Sequence, residues 1–183
     1  MNHAAVANAV AALRAGAVIA YPTEAVWGLG CDPDNVDALE RLLALKARHP
    51  AKGMILIAGS VSYIEAWLTG LAPEYRERLM ASWPGPVTWL VPDNGRTHPL
   101  VKGQHDKVAL RVSDHPLVHA LTEAFVGPIV STSANRSGSE PLRSAEAVHS
   151  EWQDDVVIVP GELGGRDRPS VIRDVMTGDV LRA

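Results

Sequence analysis

Pro116–Asn135 has the sequence PLVHALTEAFVGPIVSTSAN, and this stretch decides the fold class. Apolar residues at helical spacing over Leu117–Phe125, with Pro116 in the first turn, predict a helix. A short apolar run, Ile129–Ser131, then predicts a buried strand. Helices and strands alternate in this way along the chain without clear repeats. We therefore predict an α/β fold in which a twisted mixed sheet is flanked by helices.

The same patterns predict the other elements. Helices are expected over residues 2–15, 36–48, 60–70, 73–81 and 144–152. Strands are expected over 17–21, 54–58, 87–91, 108–112 and 156–159, with further apolar segments at 170–173 and 179–182. The polar segment 94–106 predicts a flexible loop, and Ser113 or Asp114 is expected to cap the helix at Pro116. No linker divides the chain, so we expect one domain over 1–183, but the strand order does not follow from these patterns.

Length, composition and charge exclude several classes of protein. The chain has 183 residues, of which 46% are hydrophobic and 21% charged, as in an ordinary globular protein. Its formal net charge of −4 excludes a generic polyanion binder, so contact with a nucleotide or nucleic acid needs a local basic patch. The single cysteine, Cys31, excludes a disulfide framework and a multi-cysteine zinc site. Neither a signal-peptide pattern nor a membrane-spanning apolar stretch is present, so we expect a cytoplasmic protein with no membrane partner.

Two polar clusters stand out from the apolar sequence. In the first, Lys46 and Arg48 leave a predicted helix, and Lys52 follows just before a strand. The second is Ser131–Asn135, which places hydroxyls and an amide at a strand end. Lys46 and Arg48 also suit the last turn of a helix, where cations interact favourably with the helix dipole. If the fold brings the two clusters together, they form a site that works by positioning and charge neutralisation.

Two further features are candidates for a ligand site. Tyr21–Glu24 ends the first predicted strand and is either a simple turn or a ligand-facing corner, since strand ends in α/β sheets commonly bind ligands. Arg111 ends another apolar strand, where a charge is costly unless it is paired. Either an anionic ligand or a carboxylate of the chain would provide that partner.

The familiar catalytic and nucleotide-binding motifs are missing. The chain has no P-loop sequence, and Gly28–Pro33 lacks the third glycine of a dinucleotide fingerprint. Ser113, Asp114 and His115 are adjacent in sequence, so they point in different directions and do not form a triad. His115 and His119 share a helix face without a third metal ligand nearby. The sequence therefore predicts a site without an enzyme nucleophile.

Six segments match, in order, the signature blocks of one known family. They are Tyr21–Gly30, Leu45–Ile57, Trp83–Thr88, Ala109–Pro116, Ser131–Gly138 and Pro169–Asp174. In these blocks the chain resembles the short, single-domain form of the YrdC/TsaC family, the threonylcarbamoyl-adenylate synthases. The chain departs from the family at His49, where proline is usual, and at Arg136, where an apolar residue is common. The resemblance implies a YrdC-like fold with a concave basic cleft.

The resemblance also implies an activity. Members of this family convert L-threonine, bicarbonate and ATP, with Mg²⁺, into threonylcarbamoyl-AMP and pyrophosphate, which is a nucleotidyl transfer. The product serves N6-threonylcarbamoylation (t6A) of adenosine 37 in tRNAs that read ANN codons. A carbamate formed from threonine and bicarbonate attacks the α-phosphorus of ATP. This chemistry requires no enzyme nucleophile, in agreement with the motifs.

The matching positions imply a role for each candidate residue. The catalytic residues would be Lys46, Arg48, Ser133 and Asn135. Threonine would be bound by Thr23, Arg111, Thr132 and Ser170. The nucleotide would be bound by Lys46, Arg48, Lys52, Ser133, Asn135, Arg143 and Arg182. The residues that ligate Mg²⁺ do not follow from the resemblance.

Two other functions are compatible with the sequence. Family members have also been proposed as RNA-binding or ribosome-maturation factors, and the same basic cleft would then grip RNA phosphates. The acidic net charge and the lack of an aromatic stacking motif count against this as the main role. A non-catalytic domain of a larger carbamoyl-transfer protein is a third reading, which the length and lack of a flanking domain count against. For the enzyme, we expect a downstream threonylcarbamoyl-transferase complex as partner and weak contact with tRNA.

Overall fold

The computed structural model describes residues 2–182. Its helices are α1 His3–Arg14, α2 Val36–Leu45, α3 Pro73–Met80, the single turn α4 Pro99–Lys102, α5 Pro116–Phe125 and α6 Ala145–Trp152. Its strands are β1 Ile19–Pro22, β2 Trp27–Gly30, β3 Ile55–Ala58, β4 Val87–Pro92, β5 Lys107–Val112, β6 Ile129–Ser133, β7 Val157–Ile158, β8 Val171–Asp174 and β9 Val180–Arg182. Short 3-10 turns cover Pro50–Lys52, Val61–Tyr63, Glu65–Leu68 and Gln153–Asp155.

The strands of the described residues form one nine-stranded mixed sheet in the order β7-β1-β2-β6-β3-β5-β4-β8-β9. The pairs β1–β7, β3–β5 and β4–β8 are parallel, and the other neighbours are antiparallel. This arrangement confirms the α/β fold with a mixed sheet predicted from the sequence. It also brings β6, which ends in the hydroxyl cluster, beside β3, which follows Lys52.

Side chains alternate between the two faces of the sheet, as the pleat requires. On β5, Val108, Leu110 and Val112 are buried in the larger core cluster on one face. Ala109 and Arg111 point to the opposite face. The larger cluster packs against α2, α3 and α6 through residues such as Leu39, Leu79 and Trp152.

The opposite face divides into a half that helices cover and a half that they leave open. Helices α1 and α5 pack on this covered half, which consists of Ile19, Tyr21, Ile57, Ile129 and Val159. The open half consists of Ile55, Leu90, Ala109, Arg111, Ser131, Ser133 and Ile172, all of which line a cavity. The uneven placement of the helices therefore leaves part of the sheet as the floor of a cleft.

Four sequence-based expectations about local structure are wrong. Strand β2 was not expected, because Gly28 and Gly30 weaken its strand pattern. Residues 60–70 form two 3-10 turns rather than a helix, and segment 94–106 contains the helical turn α4. The cap of α5 is His115, whose Nδ1 accepts a hydrogen bond from the Leu117 backbone N–H at 3.3 Å. The hydroxyl of Ser113 instead bonds to a carboxylate of the cleft.

No helix among residues 2–182 is both long enough and apolar enough to span a membrane.

Candidate active site

The open half of the sheet is the floor of a cavity of about 560 Å³. This volume is in the range of small-molecule sites, roughly 300–1,000 Å³. Three carboxylates line the cavity, on Glu24, Asp106 and Asp174. Eight cations line it, on Arg48, Lys52, Lys102, Lys107, Arg111, Arg166, Arg168 and Arg182. The cavity wall is thus rich in positive charge although the chain carries a net charge of −4.

Lys46 connects the two polar clusters of the sequence. It follows α2 as the C-terminal cap, and only 2% of the residue is exposed. Its ammonium donates hydrogen bonds to the backbone carbonyls of Ser133 and Asn135, the latter at 2.5 Å. Burial, and then the charge of Arg48, lower the pKa of Lys46 to about 8. The clusters therefore meet in space, with Lys46 beneath the end of β6 rather than on the cavity wall.

Arg48 is held toward the cavity by a tight turn. Its Nε and Nη2 donate to the Gly53 carbonyl at 3.1 and 2.7 Å. Gly53 has φ +63°, and a Cβ there would lie 2.7 Å from the Lys102 carbonyl oxygen, so only glycine fits. The turn packs closely on α4, which brings Lys52 and Lys102 to the same wall.

Three arginines from distant segments converge in the cavity. Burial and then the charge of Arg182 lower the pKa of Arg48. Burial and then the charge of Arg111 lower the pKa of Arg182. Cations are brought this close only at a cost in repulsion, which an anionic ligand offsets. The geometry is therefore suited to a ligand that carries several negative charges.

Arg111 has the carboxylate partner that its buried position required. Its Nη2 lies 2.7 Å from Glu24 Oε1, and its Nε donates to the Gly85 carbonyl at 3.3 Å. Glu24 Oε1 also accepts a hydrogen bond from the Ser113 hydroxyl at 2.6 Å. Both charged side chains are buried, so the pair fixes the guanidinium rather than leaving it mobile. Arg111 still lines the cavity and retains N–H donors for a ligand.

The remaining candidate residues fall into two groups. Thr23, Thr132 and Ser170 line the cavity with the residues above. The Thr23 hydroxyl also closes the corner by donating to the Val26 carbonyl at 2.7 Å, so the turn and the ligand-facing corner are the same feature. Arg143 does not line the cavity. It is exposed, and its Nη2 donates to the Asp167 carbonyl at 2.8 Å.

Loop 160–170 closes one side of the cleft. The Gly164 and Arg166 N–H groups donate to the Thr23 and Glu24 carbonyls at 3.0 and 2.9 Å. The Arg166 guanidinium pairs with Asp114 at 2.9 Å. These contacts bring Arg166 and Arg168 to the cavity wall, where Arg143 was expected.

Sequence reasoning assigned no role to several residues of the site. Glu24 could have been found, because a buried arginine on a strand predicts a buried carboxylate partner. No sequence pattern marked four of the cavity cations, because they lie in polar segments that resemble ordinary loops or strand ends. These cations are Lys102, Lys107, Arg166 and Arg168.

Comparison with known proteins shows the family of this chain. The model of the Sua5/YciO/YrdC family, described as "Telomere recombination", matches residues 11–183. The chain belongs to the Sua5/YciO/YrdC family. Among relatives, a threonylcarbamoyl-AMP synthase of Chromohalobacter salexigens is 60% identical over 177 residues, 97% of this chain and 96% of that protein. A threonylcarbamoyl-AMP synthase of Saccharophagus degradans is 52% identical over 175 residues, 95% of this chain and 92% of that protein.

Solved structures of the Sua5/YciO/YrdC family share the fold. P. abyssi Sua5 in complex with L-threonine superimposes with a TM-score of 0.88 and 27% identity, covering 98% of this chain. The chain spans about half the length of that protein, 53%. E. coli YciO superimposes with a TM-score of 0.85 and 25% identity, covering 99% of this chain and 89% of YciO. The family resemblance inferred from the six sequence blocks is therefore confirmed.

Proposed function

We propose that this chain is a threonylcarbamoyl-AMP synthase, which forms threonylcarbamoyl-AMP and pyrophosphate from L-threonine, bicarbonate and ATP. The observation that carries the proposal is the convergence of Arg48, Arg111 and Arg182 on one cavity beside the Lys46-bound end of β6. The names of the similar full-length relatives support it. The product would serve t6A formation at position 37 of tRNAs that read ANN codons.

The chemistry explains why the cavity needs cations and no nucleophile. The threonine amine and bicarbonate give a carbamate with loss of water, and a carbamate oxygen attacks the α-phosphorus of ATP as pyrophosphate leaves. Anions are brought together in this step, so its barrier falls when fixed cations offset their repulsion. The reaction is a nucleotidyl transfer, and we assign the enzyme to that class.

We propose that the two ends of the cavity bind different substrates. Arg111, oriented by Glu24, binds the threonine carboxylate as a charge-assisted pair, with Thr23, Thr132 and Ser170 around the amino acid. Arg48, Lys52 and Arg182 bind the ATP phosphates.

Lys46 and its partners connect these two ends. Lys46 uses two donors on the carbonyls of Ser133 and Asn135, and from beneath the end of β6 it contributes its positive charge to the nucleotide site. We keep a direct phosphate contact for Lys46 only as a prediction, because in this structure the ammonium does not line the cavity. Ser133 lines the cavity and gains a fixed position there.

Asn135 does not line the cavity, and its amide donates to the Arg136 and Ser139 carbonyls, so we keep a nucleotide contact for Asn135 only as a prediction. We keep a nucleotide contact for Arg143 only as a prediction, because in this structure it bonds to loop 160–170.

We propose that Mg²⁺ enters with ATP. Within residues 2–182 no group of three or more His, Cys, Asp or Glu side chains could hold a metal ion. Mg²⁺ does not need such a group, because it is commonly bound mainly by substrate phosphates and water. When bound, the ion would supply further neutralisation of the phosphate charge.

The proposal is tested by pyrophosphate release from ATP with each substrate omitted in turn. We expect release to require threonine, bicarbonate and Mg²⁺ together. Release that is independent of threonine would contradict the proposal. Salt-sensitive tRNA binding without any turnover would favour the RNA-binding alternative instead. The proposed function also implies a downstream transferase partner, a weak tRNA contact and a cytoplasmic location. Each of these expectations needs a test of its own.

A further inference from the structure

The Tyr21 side chain crosses one strand of the sheet to reach the next. Tyr21 pairs in register with Gly28 of β2, and its hydroxyl donates to Ser131 Oγ on β6 at 2.9 Å. A Cβ at Gly28 would lie 3.5 Å from Tyr21 Cζ, and one at Gly30 would lie 3.0 Å from Tyr21 Cε1. The two glycines therefore leave the room in which the tyrosine ring passes over β2.

This contact fixes the direction of the Ser131 hydroxyl. Tyr21 is fully buried, and burial raises the pKa of its phenol, so the phenol keeps its proton and acts as the donor. A serine hydroxyl has one proton and two lone pairs. Tyr21 occupies a lone pair, and no hydrogen bond within residues 2–182 uses the Ser131 proton. Because Ser131 lines the cavity, its O–H is a polarised donor available to a ligand there.

Ser131 lies on the cavity floor near proposed contacts of both substrates. Across the sheet it is in register with Ile55, which is in register with Ala109, two residues before Arg111. Along β6 it is two residues before Ser133. The charge of Arg111 lowers the pKa of the Tyr21 phenol and the charge of Glu24 raises it, so both side chains lie near Tyr21. The hydroxyl thus lies on the cavity floor two strands from the strand of Arg111 and two residues from Ser133, whose carbonyl binds Lys46.

We propose that Ser131 donates a hydrogen bond to the carboxyl group that bicarbonate supplies, and that Tyr21 positions this donor. The inference rests on the proposed function, because in that reaction the carbamate carboxyl lies between the amino acid and the α-phosphorus. An anionic oxygen is the acceptor that suits a polarised hydroxyl. Ser131 touches the substrate in this account, and Tyr21 acts through it.

The test measures pyrophosphate release in carbon-dioxide-depleted buffer with added sodium bicarbonate. Ser131→Ala removes a hydrogen bond to a charged group, so we expect the KM for bicarbonate to rise about 10- to 100-fold. The KM values for threonine and ATP should change by less than about two-fold. Tyr21→Phe should raise the bicarbonate KM about three-fold, because the serine keeps its proton but loses its orientation. In the double variant Tyr21→Phe should add nothing to Ser131→Ala.

Thr122→Val is the matched control. The Thr122 hydroxyl is buried under the covered half, where it donates to the Val118 carbonyl and accepts from the Gly59 N–H, each at 2.9 Å. Its loss should lower the thermal midpoint and leave every KM unchanged. An unchanged bicarbonate KM in Ser131→Ala would overturn the inference, as would equal changes for all three substrates or additive effects in the double variant. A wild-type protein that needs no bicarbonate would instead overturn the proposed function.

Discussion

The covered and open halves of the sheet face are built from the same strands, yet one is core and the other is a site. On β6, Ile129 lies under α1 and α5, whereas Ser131 and Ser133, further along the same face, lie in the cavity. On β3, Ile57 belongs to the covered half and Ile55 to the open half. Strand periodicity sets which face a side chain points to, but the helices decide whether that position becomes core or cleft.

The two halves also differ in the buried charges that they contain. The covered half is apolar, so its stability comes from burial of hydrocarbon. The open half contains Arg111 with its buried partner Glu24, and beneath its edge lies the buried ammonium of Lys46. Such groups stabilise a fold poorly compared with apolar packing, but they hold donors and charge in fixed positions. We therefore expect substitutions in the open half to change activity and those in the covered half to change stability, with the exception of Tyr21, whose hydroxyl contacts Ser131 of the open half.

The largest effect is expected for Lys46→Ala. The variant loses the ammonium that joins β6 to the proposed phosphate site, so we expect kcat/KM to fall by about 10²–10³. It should remain folded with lower stability, because the lost desolvation cost of the ammonium offsets only part of the cost of leaving the Ser133 and Asn135 carbonyls without a donor. Pyrophosphate release and circular dichroism measure the two effects. Arg41→Ala, which removes an exposed cation from the same helix, is the control, and an equal loss of activity there would refute the specific role of Lys46.

Leu121→Ala tests the covered half. Leu121 of α5 is fully buried against the sheet, and a cavity at such a site lowers the free energy of unfolding by about 3 kcal/mol. The KM values of the folded fraction should stay unchanged. Denaturant unfolding and steady-state kinetics at low temperature measure both quantities. A large change in the threonine KM with little loss of stability would contradict the division between the halves.

Glu24→Gln should have a smaller, selective effect. The amide keeps an oxygen for Ser113 and Arg111 but loses the charge that fixes the guanidinium. We expect the threonine KM to rise about ten-fold, since a charge-assisted bond is roughly twice as strong as a neutral one. The ATP KM should change little. Equal changes in the two constants would show that Glu24 does not act through Arg111.

The smallest effect is a pH dependence from Lys46. Its pKa is lowered from 10.5 to about 8, so kcat/KM for ATP should decline as pH rises above about 8 and the ammonium loses its proton. At pH values between the native pKa of about 8 and the unfolded pKa of 10.5, the unfolded state binds more protons than the native state. In this range Lys46 therefore makes the free energy of unfolding rise with pH. Lys46→Ala should remove that contribution. A wild-type profile that is flat up to pH 10 would rule out this titration.

The sequence predicted what depends on local patterns. Helix α5 and most of β6 were predicted closely, because a proline start, helical spacing and an apolar run are local signals. Strand β2 was missed, because Gly28 and Gly30 serve the packing of Tyr21 rather than strand propensity. The strand order was out of reach, because it depends on pairing between distant segments.

The site was predictable only in part for the same reason. The Lys46 and Ser131–Asn135 clusters were found as separate polar segments, but their contact required β6 to lie beside the end of α2. The need of Arg111 for a partner was foreseen, whereas the choice of Glu24 required the Tyr21–Glu24 corner to fold over β5. Arg166 entered the cavity through backbone bonds of loop 160–170, which no side-chain pattern reveals.

The central claim is that the open half is one site with a phosphate end at Arg48 and a threonine end at Arg111. Calorimetric titration of L-threonine and of a non-hydrolysable ATP analogue into Arg48→Ala and Arg111→Ala tests it most directly. We predict a crossed pattern, in which Arg48→Ala weakens the ATP analogue about 10-fold or more and keeps threonine binding, and Arg111→Ala does the reverse. Equal weakening of both ligands in both variants would contradict the claim.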